Sequence, residues 1–239
     1  MKRFWETVTI APSEAGFAVL LDGKPMHLPG GTVLCVAGER LALAIAEEWR
    51  SAGGGKGGEM SFADTPLTGL AGTAQQRIAP DPAPTIDAIA RYAESDLLCY
   101  RAETPASLVE RQDSGWQPWL DWVARTYDAP LRVSTGIAYV KQHRGSIAAL
   151  RNAVAALDVP ALAALGVAVP SLGSLVLGLA LAEGALDAPT AHRLGSLDEL
   201  FQAEMWGEDA EAAARRAAIA ADVALAEKFL RLTRPAGFA

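Results

Sequence analysis

An α+β fold is what this chain predicts: a small antiparallel β-rich domain at the N-terminus, then a larger, all-helical domain. Three observations carry the expectation. Asp22-Gly23 separates Phe17–Leu21 from Lys24–Leu28, a two-residue hairpin signal between apolar arms. Leu41, Ile45 and Trp49 repeat at helical spacing straight after the last strand signal. Beyond Pro105 nearly every stretch carries a 3.6-residue apolar period.

In chain order, FWETVTIA is extended and Pro12–Gly16 turns it into GFAVLL. Pro25 restricts the next arm to an edge or a strand start, and Thr32–Val36 is a fourth short strand. Glu39–Ser51 is an amphipathic helix. AGGGKGGE then offers Gly and Lys in the manner of a phosphate loop. Lys56 is followed by Gly57 rather than Ser or Thr, and the segment leaves a helix instead of entering one, so a flexible loop is expected.

Pro66–Ala79 is helical, and Gly69 and Gly72 suggest another element packed close to it. Pro80, Pro82 and Pro84 stop that helix, and Thr85–Ser95 restarts one. Leu97–Arg101 suits a short strand returning to the sheet. A boundary near Glu103–Pro105 divides the chain into domains 1–104 and 105–239.

Ser107–Asp128 is the first helix of the second domain, with Gln112, Trp116, Leu120 and Val123 among its inward positions. Pro118 is expected to kink or restart it. Leu131–Val140 is an extended crossing. Helices follow at 145–157, 160–166, 171–184, 187–206 and 208–231. Ser171–Ala182 is the most apolar run, and its length suits a buried helix rather than a membrane span.

Half of the residues, 51%, are hydrophobic, which supplies a core and excludes disorder. A net charge of −7 excludes a general nucleic-acid binder. Two cysteines, Cys35 and Cys99, are too few for a disulfide framework and fit a reducing compartment. MKRFWETVTI has neither an apolar h-region nor a small-residue cleavage site, so a secretory signal is not expected.

Residues able to do chemistry are sparse. His27, His143 and His192 have no ligand-spaced partners, and neither cysteine has a nearby histidine. Glu94/Asp96 and Glu208/Asp209/Glu211 are the closest acidic groupings, the material for a metal- or acid-dependent hydrolase. Helix capping and solvation explain them more simply. No catalytic residue, cofactor or metal site is assigned, and the weight moves to protein binding.

The stretch Leu194–Arg216 is the most distinctive. Leu194, Leu197, Phe201 and Met205 form one apolar stripe, while Glu199, Gln202 and Trp206 fall within about 60° of each other on the opposite side. Gly207 bends the chain, and Glu208, Asp209 and Glu211 suit the first turn of a new helix. A large indole turned away from its own helix's core must be covered. Either another layer of the same protein covers it, or it anchors a docked protein.

Seven blocks together resemble one family. They are KRFW at the start, FAVLLDGKPMHLP, AEEW ending at Trp49, PLTGLAGTA, YAESDLLCYRAE, WQPWLDW and DELFQAEMWGEDAEAAARR. Their order and spread are similar to those of the assembly chaperones of the ATP synthase F(1) sector that handle the alpha subunit, found in mitochondria and related bacteria. The resemblance implies a β-rich N-terminal and a helical C-terminal domain. It also implies binding of the unassembled alpha subunit and shielding of its beta-facing surface.

By that resemblance Trp49, Glu199, Gln202 and Trp206 match family motif positions, and the partner-binding set becomes Glu199, Gln202, Trp206, Glu208 and Asp209. The free protein is expected to be a monomer. Mitochondrial members carry transit peptides and none is visible here, so a bacterial cytoplasm is the expected compartment. The departures are the glycine-rich 53–58 and the glycines at 69 and 72, where relatives carry larger residues.

Overall fold

In a computed structural model, residues 1–136 and 138–234 are described. The described residues divide into two compact units, residues 1–82 with 228–234, and residues 83–227. The sequence boundary at 104/105 counts residues 83–104 with the first part; here they fall in the second, where the helix at Ala83–Ala90 packs on later helices.

The first unit opens with strands β1 (Val8–Ser13) and β2 (Gly16–Leu21), paired antiparallel from Val8↔Leu21 to Ser13↔Gly16. Asp22 and Gly23 turn the chain at φ +48° and +77°, the left-handed pair that a two-residue hairpin requires. The Asp22 carboxylate accepts from the Glu6 and Thr7 amides at 3.0 and 2.8 Å, which fastens the turn. Beyond it β3 (Lys24–Pro25) and β4 (Cys35–Val36) both pair with β2. At Gly16, φ is +123° and a Cβ would stand 2.3 Å from the Val36 carbonyl oxygen, so the tight return admits only glycine.

Helix α1 (Glu39–Ser51) buries Leu41, Ile45 and Trp49 as its stripe dictates. Its last carbonyls find a donor outside the helix. The buried Arg3 guanidinium gives hydrogen bonds to the Arg50 and Ala52 oxygens at 2.6 and 3.1 Å. The glycine-rich loop is strapped to this same N-terminal segment, with Arg3 N to Gly58 O at 2.9 Å and Gly57 N to Arg3 O at 2.8 Å. Helix α2 (Pro66–Thr73) runs into a π-turn at Ala74–Ile78. A Cβ on Gly72 would meet the Leu28 side chain at 3.0 Å, the expected close approach, whereas Gly69 faces open space.

The second unit begins with α3 (Ala83–Ala90). Tyr100–Arg101 forms β5, but it pairs in parallel with β6 (Ser134–Thr135) and does not return to the N-terminal sheet. Helix α4 (Ala106–Tyr127) passes through Pro118 without restarting. Next come α5 (Arg144–Ala155), α6 (Val159–Leu172) and α7 (Leu175–Glu183). Every residue of α7 from Leu175 to Leu181 is buried, the core helix that the apolar run predicts. Among the described residues no helix is long and apolar enough to cross a membrane.

The expected helix 187–206 is two, α8 (Ala188–Gly195) and α9 (Leu197–Trp206). At Gly195 a Cβ would lie 3.0 Å from Leu172 Cδ2 and 3.3 Å from its carbonyl oxygen, so α8 stops in close contact with α6. Helix α10 (Ala210–Thr233) begins in the second unit and ends in the first.

Candidate partner-docking site

Helix α9 is fixed on one side by α4. Trp116 Nε1 donates to the Leu194 carbonyl just ahead of it at 2.9 Å, and Gln112 Nε2 donates to Asp198 Oδ1 at 2.7 Å. Gln112 is buried and polar, and both ends of its amide are used, because its Oε1 accepts from the Ala102 amide at 2.7 Å. One turn on, Arg111 pairs with Glu204 at 2.6 Å and lies 5.1 Å over the Phe201 ring. Phe201 is the fully packed apolar residue of this helix.

The other side of α9 is open. Trp206, its last residue, is 78% exposed. Among the described residues no layer covers the indole, so the reading that buries it in this chain's own core does not hold. Met205, placed on the core stripe by the sequence, is 61% exposed. Within α9 the stripe is buried at Phe201, where Arg111 of α4 lies over the ring, and Met205 one turn on is beyond that cover.

Glu199, Gln202, Trp206 and Asp209 line one shallow cavity of about 220 Å³. Asp209 is the N-cap of α10 and accepts from the Ala212 amide at 2.8 Å. Glu208 sits beside that cavity and takes a 2.6 Å hydrogen bond from Arg216. The structure thus gathers all five of the sequence-selected residues at one corner, the joint of α9 and α10.

Sequence reasoning missed the basic half of this corner. Arg215 reaches Glu199 Oε1 at 3.4 Å, and Arg216 lies 3.7 Å from Glu199 Oε2. The paired arginines ending the block DELFQAEMWGEDAEAAARR are its trace in the sequence.

The rival acidic groupings do not converge. Asp96 is completely buried, accepting from the Leu98 amide, the Ser174 hydroxyl and the Val176 amide at 3.1, 2.8 and 3.0 Å, while Glu94 is exposed. Asp96 therefore holds the start of α7, and burial pushes its pKa up to about 6. Burial likewise pushes the Cys99 thiol up to about 12, which keeps it protonated and inert. Among the described residues no group of three or more His, Cys, Asp or Glu is arranged to hold a metal ion.

Comparison with known proteins gives consistent matches. A family model described as ATP12 chaperone protein matches residues 2–124. Protein atp12, mitochondrial, of Schizosaccharomyces pombe is 26% identical over 223 residues, covering 87% of this chain and 75% of that protein. The crystal structure of Atp12 from Paracoccus denitrificans is 43% identical with a TM-score of 0.92 over 98% of both chains, and the structure of a mutant of that protein matches equally well. A candidate chaperone from Agrobacterium tumefaciens is 37% identical with a TM-score of 0.90, covering 98% of this chain and 86% of that one. The family model ends before α9, whereas the solved relatives span the α9–α10 corner as well.

Proposed function

Because the chain belongs to the ATP12 chaperone family, we propose that it is an assembly chaperone of the ATP synthase F(1) sector whose client is the unassembled alpha subunit. A subunit waiting to join a ring exposes apolar surface large enough to aggregate, and a protein that covers this surface until assembly keeps it usable. The free chaperone is a monomer of a bacterial cytoplasm, and it works by binding, not by catalysis. The choice of the alpha subunit rests on the seven resembling blocks. The place of docking rests on the α9–α10 corner.

One observation carries the docking reading: Trp206 stands 78% exposed at a helix end, beside a cavity walled by Glu199, Gln202 and Asp209. An indole with that much apolar area in water is the kind of side chain that anchors interfaces, and the polar groups beside it suit a rim. The acids of this corner are occupied in capping and pairing, which favours a binding face over a hydrolase.

Dilution of unfolded alpha subunit into buffer with an equal amount of this protein tests the proposal, with beta subunit as the control. A stoichiometric complex and suppressed light scattering for alpha alone is the expected result. Equal protection of both subunits, or of neither, would contradict it.

A further inference from the structure

Arg216 is out of place on its helix. Along α10 within the second unit, the inward stripe runs through Ile219, Val223 and Ala226, and the next position of the same stripe toward the N-terminus is Arg216. The Arg216 side chain is 7% exposed, while Arg215 and Ala217 on either side are exposed. Burying a charge is costly unless it is paired, and Arg216 is paired twice. Nη2 donates to Glu208 Oε1 at 2.6 Å and Nη1 lies 3.7 Å from Glu199 Oε2.

Those two carboxylates belong to different pieces of the corner. Glu199 is on α9, and Glu208 is in the three-residue connector. Gly207, between them, has φ +92°, and a Cβ there would meet nothing within 4 Å. Apolar packing does not hold the outer part of the joint, since Met205 and Trp206 are in water. The Arg216 guanidinium is what joins α9, the connector and α10.

We propose that Arg216, at the floor of the cavity at this corner, is the positioning residue of the docking face: it sets the angle between α9 and α10, and so the pose of Glu199 and Trp206. This rests on the reading of that face as the client surface. Arg215 is the contrasting neighbour. It reaches only Glu199, from an exposed position, and its loss should matter little.

Arg216→Met tests it, because methionine fills the stripe position with an apolar chain and removes both ion pairs. The variant should melt near the wild type. Amide exchange over residues 203–209 should become about tenfold faster, and alpha-subunit capture should weaken by about tenfold or more. Raised salt should speed exchange in that segment more in the wild type than in the variant, which keeps only the Arg111–Glu204 and Arg215–Glu199 pairs of this corner. Unchanged exchange in a folded Arg216→Met protein would overturn the inference, as would unchanged capture beside a Trp206→Ala protein that has lost it. Full capture by Trp206→Ala would instead overturn the docking reading, and the exchange measurement would still decide the role of Arg216. Should Arg216→Met fail to fold, Glu208→Gln carries the same exchange test at an exposed site, with the same direction expected.

Discussion

Trp49 is 6% exposed, and its indole Nε1 donates to Thr68 Oγ1 at 2.8 Å. Its ring lies 4.8 Å from that of Trp5, whose own Nε1 donates to the Trp49 carbonyl at 3.0 Å. Trp49 is a core residue, so Trp49→Ala should cost about 3–5 kcal/mol, read as a large fall in melting temperature. A near-wild-type melt would show that the pocket collapses around the loss. Asp96 makes a different prediction. Its folded pKa of about 6 lies above the ordinary value of 3.8, so the fold binds its proton more readily than the unfolded chain. The contribution of this group is therefore fully present below the unfolded value and lost as pH rises through about 6. Asp96→Asn should flatten the change in stability between these two pH values, whatever its absolute cost. An unchanged slope would assign the titration to another group.

At the scale of elements, hairpin and first helix are legible nearly to the residue, because their signals are local: Asp22-Gly23 and the Leu41–Ile45–Trp49 stripe. The prolines mislead. Pro118 and Pro170 both sit inside continuous helices, α4 and α6. Both are exposed, and so are Ser114 and Gly166, the residues four earlier whose carbonyls lose their donor. Water can serve those oxygens, so the helix need not break. Pro118→Ala should accordingly stabilise α4, by about 1 kcal/mol or more, because it restores a donor and removes the ring clash. A lower melting temperature would mean that the ring makes a contact of its own. The split of α8 from α9 is illegible for the opposite reason. Periodicity runs across Ser196 undisturbed, and the contact found at the break, Gly195 against Leu172, is between residues distant in sequence. Gly16 shows the same kind of contact in the sheet, and Gly16→Ala should cost about 2 kcal/mol or more from backbone strain alone.

For the molecule as a whole, the acidic face of α9 and the cap of α10 are visible as residues, since Glu199, Gln202, Trp206 and Asp209 share one helical side or one capping pattern. Their exposure is not visible. A buried and an exposed tryptophan look alike in a helical period, and what distinguishes them is where α4 stops covering α9. Arg111, fastened to Glu204 and lying over Phe201, closes the packed side short of Trp206. The buried arginine at 216 is also hidden, because a charge on a core stripe is intelligible only once its carboxylate partners are in place. The central claim is that this open corner holds the client, and Trp206→Ala tests it most directly. The side chain is exposed, so its loss should move stability by less than about 0.5 kcal/mol. At equal folded concentration, the variant should lose most of its ability to suppress light scattering by refolding alpha subunit. A normally stable Trp206→Ala protein that protects the alpha subunit as fully as the wild type would contradict the account.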